Sequence, residues 1–197
     1  MTLPYISDTA LKEWASAVET LGRGEQILVL RKGGIHREDR DFRFVYPEFL
    51  LFPTYEHQKE ELIKPEFHAV LRDTYNDSGV ADTVDFKYFC HVTDKFELRD
   101  EDDLDRISGL HIWTDDYAHK RLHWRPKQPL TVALLRVYEL QNSQSLPVLP
   151  EYSGCKSWVE LGKEVALSGM TPVLSDAEYE NKADMVRGSL AGATLVA

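Results

Sequence analysis

The sequence predicts an α+β fold, with a single mixed β-sheet or a small β-barrel flanked by helices and followed by a C-terminal helical tail. Apolar side chains alternate along several segments, which is typical of strands, and recur at helical spacing along others. Of the 197 residues, 43% are hydrophobic and 28% charged. This composition is typical of a globular protein that buries a real core.

The N-terminal part predicts a helix followed by a buried strand. Leu11, Trp14 and Val18 recur at helical spacing, so a helix is expected near residues 11–21 with Trp14 largely buried. The apolar segment 26–31 then predicts a strand that is covered on both faces.

The next segments alternate between polar and apolar stretches. A charged run predicts a solvated loop over 36–41, and alternation predicts a strand over 42–46. Residues 49–52 predict a short buried strand that ends at a proline, and residues 56–64 predict a polar helix. Pro65 suits the first turn of another helix.

The strongest strand pattern covers residues 83–98. Apolar side chains alternate without a break from Val84 to Val92, so Phe86 is expected to be buried. Thr114 has the character of an N-cap for a following helix, because acidic residues come directly after it. A central strand is expected over 130–140, then a polar loop over 141–150. One more short strand is expected near Trp158.

The composition changes after residue 163, so we expect a core domain over 1–163 and an extension over 164–197 with one helix. Ser175 and Glu178 have capping-box spacing, which predicts that helix near 176–190. Few large apolar side chains follow residue 163, so the extension is expected to dock weakly.

Charge and cysteine content limit the function classes. There are 33 acidic and 23 basic side chains, and the resulting net charge of −10 argues against bulk coating of nucleic acid or anionic lipid. No stretch has the length and apolarity of a membrane span, and the N-terminal residues lack a secretory pattern. Cys90 and Cys155 are too few for a disulfide scaffold, so a cytoplasmic protein is expected.

A local basic segment interrupts this acidic chain. Cations and aromatic side chains alternate there without an acid, a pattern that suits phosphate contact and base stacking. The alternative is a solvated helix end whose cations interact with the helix dipole. The candidate nucleic-acid contacts in this segment are Lys120, Arg121, Trp124, Arg125 and Lys127.

Further cations lie at or within the predicted strands. Arg31 ends one strand and Lys32 follows it, while Arg136 interrupts an otherwise apolar strand. Buried arginines need a carboxylate partner or a binding cleft. All three are candidate nucleic-acid contacts, and Arg37 would extend the patch if the fold brings it close.

A histidine stripe offers a metal hypothesis. Asp115, His119 and His123 follow one another at intervals of four, and two histidines with a carboxylate could hold Zn²⁺. Each four-residue step drifts by about 40° around a helix, which separates His123 from Asp115. We therefore expect surface residues, with no metal and no cofactor.

No catalytic residue is predicted, because the sequence has neither a G-x-S-x-G motif nor a P-loop. His57 follows a predicted buried strand on a loop. It is either a solvent-facing histidine or a general acid or base.

Four sequence segments, taken together and in this order, are specific enough to indicate a family: LRKGGI (30–35), PEFLLFPTYEHQ (47–58), RPKQPLTVALLRVYEL (125–140) and GCKSWVEL (154–161). Over residues 9–162 the chain resembles an uncharacterised bacterial family that is well represented in cyanobacteria, domain-of-unknown-function family 1802. The resemblance implies no reaction. The family is associated with restriction–modification gene contexts, which implies a function that involves nucleic acid.

A second resemblance concerns the entry to the first predicted strand. Gly24, Gln26 and Arg31 resemble the same region of PUA-like and ASCH-type domains, which are small mixed barrels that bind nucleic acid. The lysine and glutamate that are usual in those domains are not matched here.

The leading hypothesis is therefore a non-catalytic nucleic-acid-binding module linked to DNA defence or restriction–modification. The alternatives are a regulatory or scaffold protein that binds another protein through its acidic surface or tail, and a metal-dependent hydrolase. None of these involves a membrane.

Overall fold

The chain is described by a computed structural model. The predicted loop over 36–41, residues 42–44 of the next predicted strand, and Arg37 and Cys155 lie outside the described residues. The described stretches are residues 4–32, 45–76, 82–154 and 156–196.

Strands and helices alternate along the described chain. The strands are β1 (Ile6–Trp14), β2 (Leu28–Arg31), β3 (Glu48–Thr54), β4 (Thr83–Leu98), β5 (Leu130–Pro147), β6 (Trp158–Ala166), β7 (Thr171–Pro172) and β8 (Thr194–Leu195). The α-helices are α1 (Ala15–Gly22), α2 (His68–Asn76), α3 (Glu101–Arg106), α4 (Asp115–His123) and α5 (Asp176–Ser189).

The described strands form one mixed eight-stranded sheet, which confirms the predicted α+β class. Six strands follow the order β2-β5-β4-β3-β1-β6, while β7 pairs with β5 and β8 pairs with β4. The β1–β3 pair is parallel, and the other pairs are antiparallel. The helices cover the sheet, and α1 packs against β1, β3 and β5.

The first predicted helix is wrong in its N-terminal half, because residues before Ala15 form β1. Burial there follows a two-residue period: Leu11 and Glu13 are buried, whereas Lys12 and Trp14 are half-buried. Parallel pairing with β3 satisfies the backbone of this segment, so tertiary contacts override the helical spacing of its apolar residues.

The polar segments before and after β4 also differ from the predictions. Strand β5 continues to Pro147, so the expected loop over 141–150 is wrong at its start. The long antiparallel ladder with β4 reaches from Leu98 opposite Leu130 to Thr83 opposite Pro147, and it holds these polar residues in a strand. The predicted polar helix over 56–64 is reduced to one 3₁₀ turn.

Several local predictions are confirmed. Strand β4 covers the whole of 83–98, and Phe86 is fully buried within it. The Thr114 side chain caps α4 by accepting a hydrogen bond from the Tyr117 backbone at 3.3 Å. The predicted capping box of Ser175 and Glu178 begins α5.

The C-terminal helix docks more firmly than expected. Tyr179, Ala183 and Val186 are buried within a core cluster that also contains residues of β2, β4 and β5. Arg187 donates to both carboxylate oxygens of Asp94 in β4, at 3.0 and 2.9 Å. The expectation of weak docking is therefore wrong. A domain boundary at residue 163 stays a prediction, and that position lies inside β6.

We expect α5 to resist limited proteolysis as well as β4 does. Ala183→Asp should release the helix to protease, because it places an unpaired charge at a fully buried position. Met185→Asp is the matched control, since Met185 is 58% exposed on the same helix. Mass spectrometry of timed digests measures the outcome. Rapid trimming of α5 in the unmodified protein would contradict the docking.

Candidate anion-binding cleft

The carboxyl ends of β1, β2 and β3 meet at one cleft. Three strands separate β2 from β1 in the sheet order, which in a flat sheet would place them about 19 Å apart at ~4.8 Å per strand. Nevertheless the Arg31 guanidinium at the end of β2 donates to the Lys12 carbonyl of β1 at 2.9 Å. The sheet therefore coils until its first and fifth strands are in side-chain contact.

A buried ion pair holds this end of the coiled sheet together. Arg31 Nη1 lies 3.1 Å from Glu13 Oε2, and each residue is less than 9% exposed. The Trp14 backbone donates to Glu13 Oε1 at 2.9 Å, and the Thr54 hydroxyl donates to the Glu13 carbonyl at 3.1 Å. Burial lowers the pKa of Arg31, Glu13 opposes that change, and the nearby Arg121 adds to it.

The cleft has a volume of about 210 Å³ and a basic lining. Four cations face two carboxylates there, although the chain as a whole is acidic. This local excess of positive charge favours an anionic ligand. The charged lining residues are Lys12, Arg31, Arg121 and Lys156, with Glu13 and Glu56.

One wall of the cleft is aromatic. The rings of Trp14 and Tyr117 lie 5.0 Å apart, and Trp14 is half-buried rather than largely buried as expected. Helix α4 presents Tyr117 and Arg121 on the same face, because they are four residues apart. Arg121 Nη1 donates to the Tyr117 hydroxyl at 3.4 Å. Within the described stretches, Arg121 makes no ion pair with a carboxylate.

His57 also lines the cleft, on the loop after β3. Its backbone has φ of 67°, a left-handed conformation that is uncommon for residues other than glycine. Such conformations concentrate at functional sites, where the surrounding fold maintains them. The loop therefore places an imidazole beside the cations.

Among the predicted nucleic-acid contacts, Arg31 and Arg121 meet in the cleft, whereas Lys32 does not. Lys32 is buried and donates to the backbone carbonyls of Leu122 and Gln128, the latter at 2.7 Å. Burial lowers the pKa of its ammonium group. Lys32 thus satisfies carbonyls near the C-terminus of α4 and has a structural role.

The remaining residues of the basic segment lie at or beyond the end of α4. Lys120 points to solvent and pairs with Asp116 at 2.9 Å. Trp124 is 42% exposed, and the Arg125 guanidinium lies 4.6 Å from its ring centroid. Lys127 is exposed. We call Trp124, Arg125 and Lys127 the rim segment, since they follow the helix that carries Arg121.

Arg136 belongs to a different part of the fold. Its guanidinium pairs with Asp176 at 2.7 Å and lies 4.9 Å from the Tyr179 ring centroid. It lines a small separate cavity between β5 and α5. The structure does not bring Arg136 to the cleft, because its strand position faces the C-terminal helix.

The two histidines of the stripe on α4 pair with carboxylates of α3, and Glu101 lies within 4.0 Å of both. His119 Nε2 lies 2.6 Å from Asp105, and His123 Nε2 lies 2.6 Å from Glu101. Asp115 accepts a hydrogen bond from the Ser108 hydroxyl. The described residues contain no group of three or more histidine, cysteine or carboxylate ligands placed to hold a metal.

The sequence predictions missed two of the four cations that line the cleft. Lys12, Glu13 and Lys156 were not identified as site residues, and Trp14 was assigned to the core. Residues 11–14 offered no local signal, because Leu11, Lys12, Glu13 and Trp14 do not alternate in polarity and their two-residue period appears only in the observed burial.

The fold and the site define an α+β protein with a coiled mixed sheet and a basic, aromatic-walled cleft at the ends of three strands. The chain belongs to the family described as domain of unknown function (DUF1802), whose model matches residues 10–185. The match continues past the predicted limit of 162 and into α5. Comparisons with curated proteins and with solved structures found no match.

Among the described residues, no helix is long and apolar enough to span a membrane.

Proposed function

We propose that this protein binds nucleic acid without catalysis, using the cleft and the rim segment as one contact surface. The observation that supports this most is the position of Arg121. It stands beside the buried Arg31 and against the Tyr117 ring, and it has no carboxylate partner among the described residues. A phosphate oxygen is the natural partner for such a guanidinium.

The aromatic side chains extend the same argument. Trp124 presents an exposed ring on the rim segment, and Trp14 and Tyr117 form the cleft wall. Base stacking on aromatic rings combined with cations along the backbone is typical of single-strand binding. We therefore propose a single strand rather than a duplex as the preferred ligand. A link to DNA defence and a cytoplasmic location stay predictions.

We expect Arg121→Glu to weaken binding of a labelled single-stranded oligonucleotide by about tenfold or more, because it replaces a phosphate contact by repulsion. Fluorescence anisotropy at low and moderate salt measures this effect. The unmodified protein should show a slope of log K against log salt near 0.7 per contact, with about three contacts. Lys163→Glu on β6 is the control for the same change of charge at an exposed position away from the cleft.

Adding Arg125→Glu to Arg121→Glu should abolish binding while the thermal midpoint stays close to that of the unmodified protein. No binding at low salt, or equal loss with Lys163→Glu, would contradict the proposal. A protein partner would then become the leading hypothesis.

A further inference from the structure

A larger cavity adjoins the cleft. Its volume is about 590 Å³, within the range of small-molecule sites of roughly 300–1,000 Å³. Lys12, Thr54, Glu56 and Gly154 line both the cleft and this cavity. The two spaces therefore meet along a shared border and can accept two parts of one ligand.

The larger cavity has an aromatic and aliphatic floor. Phe52 packs edge-on against Phe86 at 5.7 Å and against Tyr152 at 6.0 Å between ring centroids. Val18 and Val84 add aliphatic surface. These side chains are buried in the core, so the floor is rigid and suits a flat apolar group.

Lys12 marks the border between the two spaces. Its ammonium group donates to the Tyr152 carbonyl and to the Gly154 carbonyl at 3.4 Å, and it lies 5.5 Å from the Phe52 ring centroid. A positive charge here stands between the apolar floor and the cation-lined cleft. This position suits the part of a ligand that connects an anionic group to a planar ring.

Carboxylates give the larger cavity a hydrogen-bonding preference. Glu19 is paired with Lys87 at 3.5 Å, but Asp85 makes no ion pair with a described residue. Asp85 lines the larger cavity and not the cleft. A carboxylate oxygen accepts hydrogen bonds from the exocyclic amino group of a base such as cytosine, and it repels the carbonyl that uracil has at the same place.

We propose that the two adjoining cavities bind one nucleoside phosphate, with the phosphate in the cleft and an amino-bearing base in the larger cavity. The inference rests on the proposed function for the phosphate end of the ligand. The nucleoside phosphate is either a nucleotide of a bound strand or a free mononucleotide, since both offer the same chemistry to the two spaces.

The test compares cytidine 5′-monophosphate with uridine 5′-monophosphate by calorimetric titration, because these ligands share the ribose and the phosphate and differ only at position 4 of the base and in the proton on N3. We expect the cytidine nucleotide to bind about tenfold more tightly, the scale of a well-placed base contact. Asp85→Asn should remove this preference, because an amide can donate to uracil. Asp102→Asn on the exposed face of α3 is the control and should retain it.

A second variant tests the larger cavity by filling it. Val148 lines the cavity and is 39% exposed, so Val148→Trp should fold and weaken both mononucleotides. The affinity of the variant for inorganic phosphate, which is expected to bind in the cleft, should be unchanged. The thermal midpoint of each variant confirms that it is folded.

The outcomes separate the two proposals. Equal affinity for the two mononucleotides, or a preference that survives Asp85→Asn, overturns the inference. Oligonucleotide binding that depends on Arg121, together with mononucleotide binding that Val148→Trp does not change, also overturns it and leaves the proposed function standing. Binding of free cytidine 5′-monophosphate without any oligonucleotide binding supports the inference, identifies the free nucleotide as the ligand, and contradicts the proposed function.

Discussion

Glu13→Ala should destabilise the protein by about 3–5 kcal/mol, because it leaves the buried charge of Arg31 without its partner. Arg31 is 7% exposed, so most of its guanidinium is shielded from water. The same change removes the acceptor of the Trp14 backbone N–H. Denaturant unfolding followed by fluorescence gives the free energy of unfolding.

Two controls show whether burial is the cause. Asp116→Ala removes the exposed ion pair with Lys120 and should leave the free energy of unfolding nearly unchanged, since solvent screens such pairs. The double variant Glu13→Leu with Arg31→Met should recover much of the loss, because it replaces both charges by apolar groups. A small effect of Glu13→Ala would mean that water reaches Arg31.

The protein should lose up to about 3 kcal/mol of stability through His111 as the pH falls from 6.5 to 4, at 1.36 kcal/mol per pKa unit. Burial, with a smaller contribution from Lys64, lowers the pKa of His111 from 6.5 to about 4, while Asp115 opposes the change. In this range the unfolded chain binds a proton that the folded protein excludes. Above pH 6.5 the ring is neutral in both the folded and the unfolded protein, so its titration costs no stability. Below pH 6.5 the free energy of unfolding decreases.

Denaturant unfolding at several pH values between 7 and 4 measures this slope. His111→Gln should reduce the slope, even if the substitution itself lowers stability at pH 7. His91 has a lowered pKa of the same sign, so the comparison between protein and variant isolates His111. His123→Gln, at an exposed position, is the control. An unchanged slope in His111→Gln would show that the buried ring does not resist protonation.

The sequence correctly predicted the features that depend on residues only a few positions apart. Thr114 caps α4 and Ser175 begins α5 through bonds to backbone groups three residues away. Alternation from Val84 to Val92 predicted β4, whose observed limits match the predicted segment 83–98. These features depend on neighbouring residues only, so one sequence contains all the information that they need.

Pairing between distant segments decided the other elements. Residues 11–14 satisfy a helical spacing, but the parallel partner β3 makes them a strand. Residues 141–147 have the composition of a loop, but residues 144–147 pair with β4 and continue the strand after an irregularity in register. A strand makes its ladder hydrogen bonds with partner strands, which the local sequence does not contain.

By itself, the sequence determined the α+β class, the caps of α4 and α5, the β4 strand and the local excess of cations over residues 117–127. Only the tertiary structure decided which cations meet. Coiling of the sheet brings Arg31 to Glu13, and Gly154 and Lys156 approach Lys12 from more than 140 positions along the chain. The tertiary structure also places Arg136 against α5 and Lys32 at the end of α4. Residue type determines what each side chain can bind, whereas packing of distant segments determines what lies within its reach.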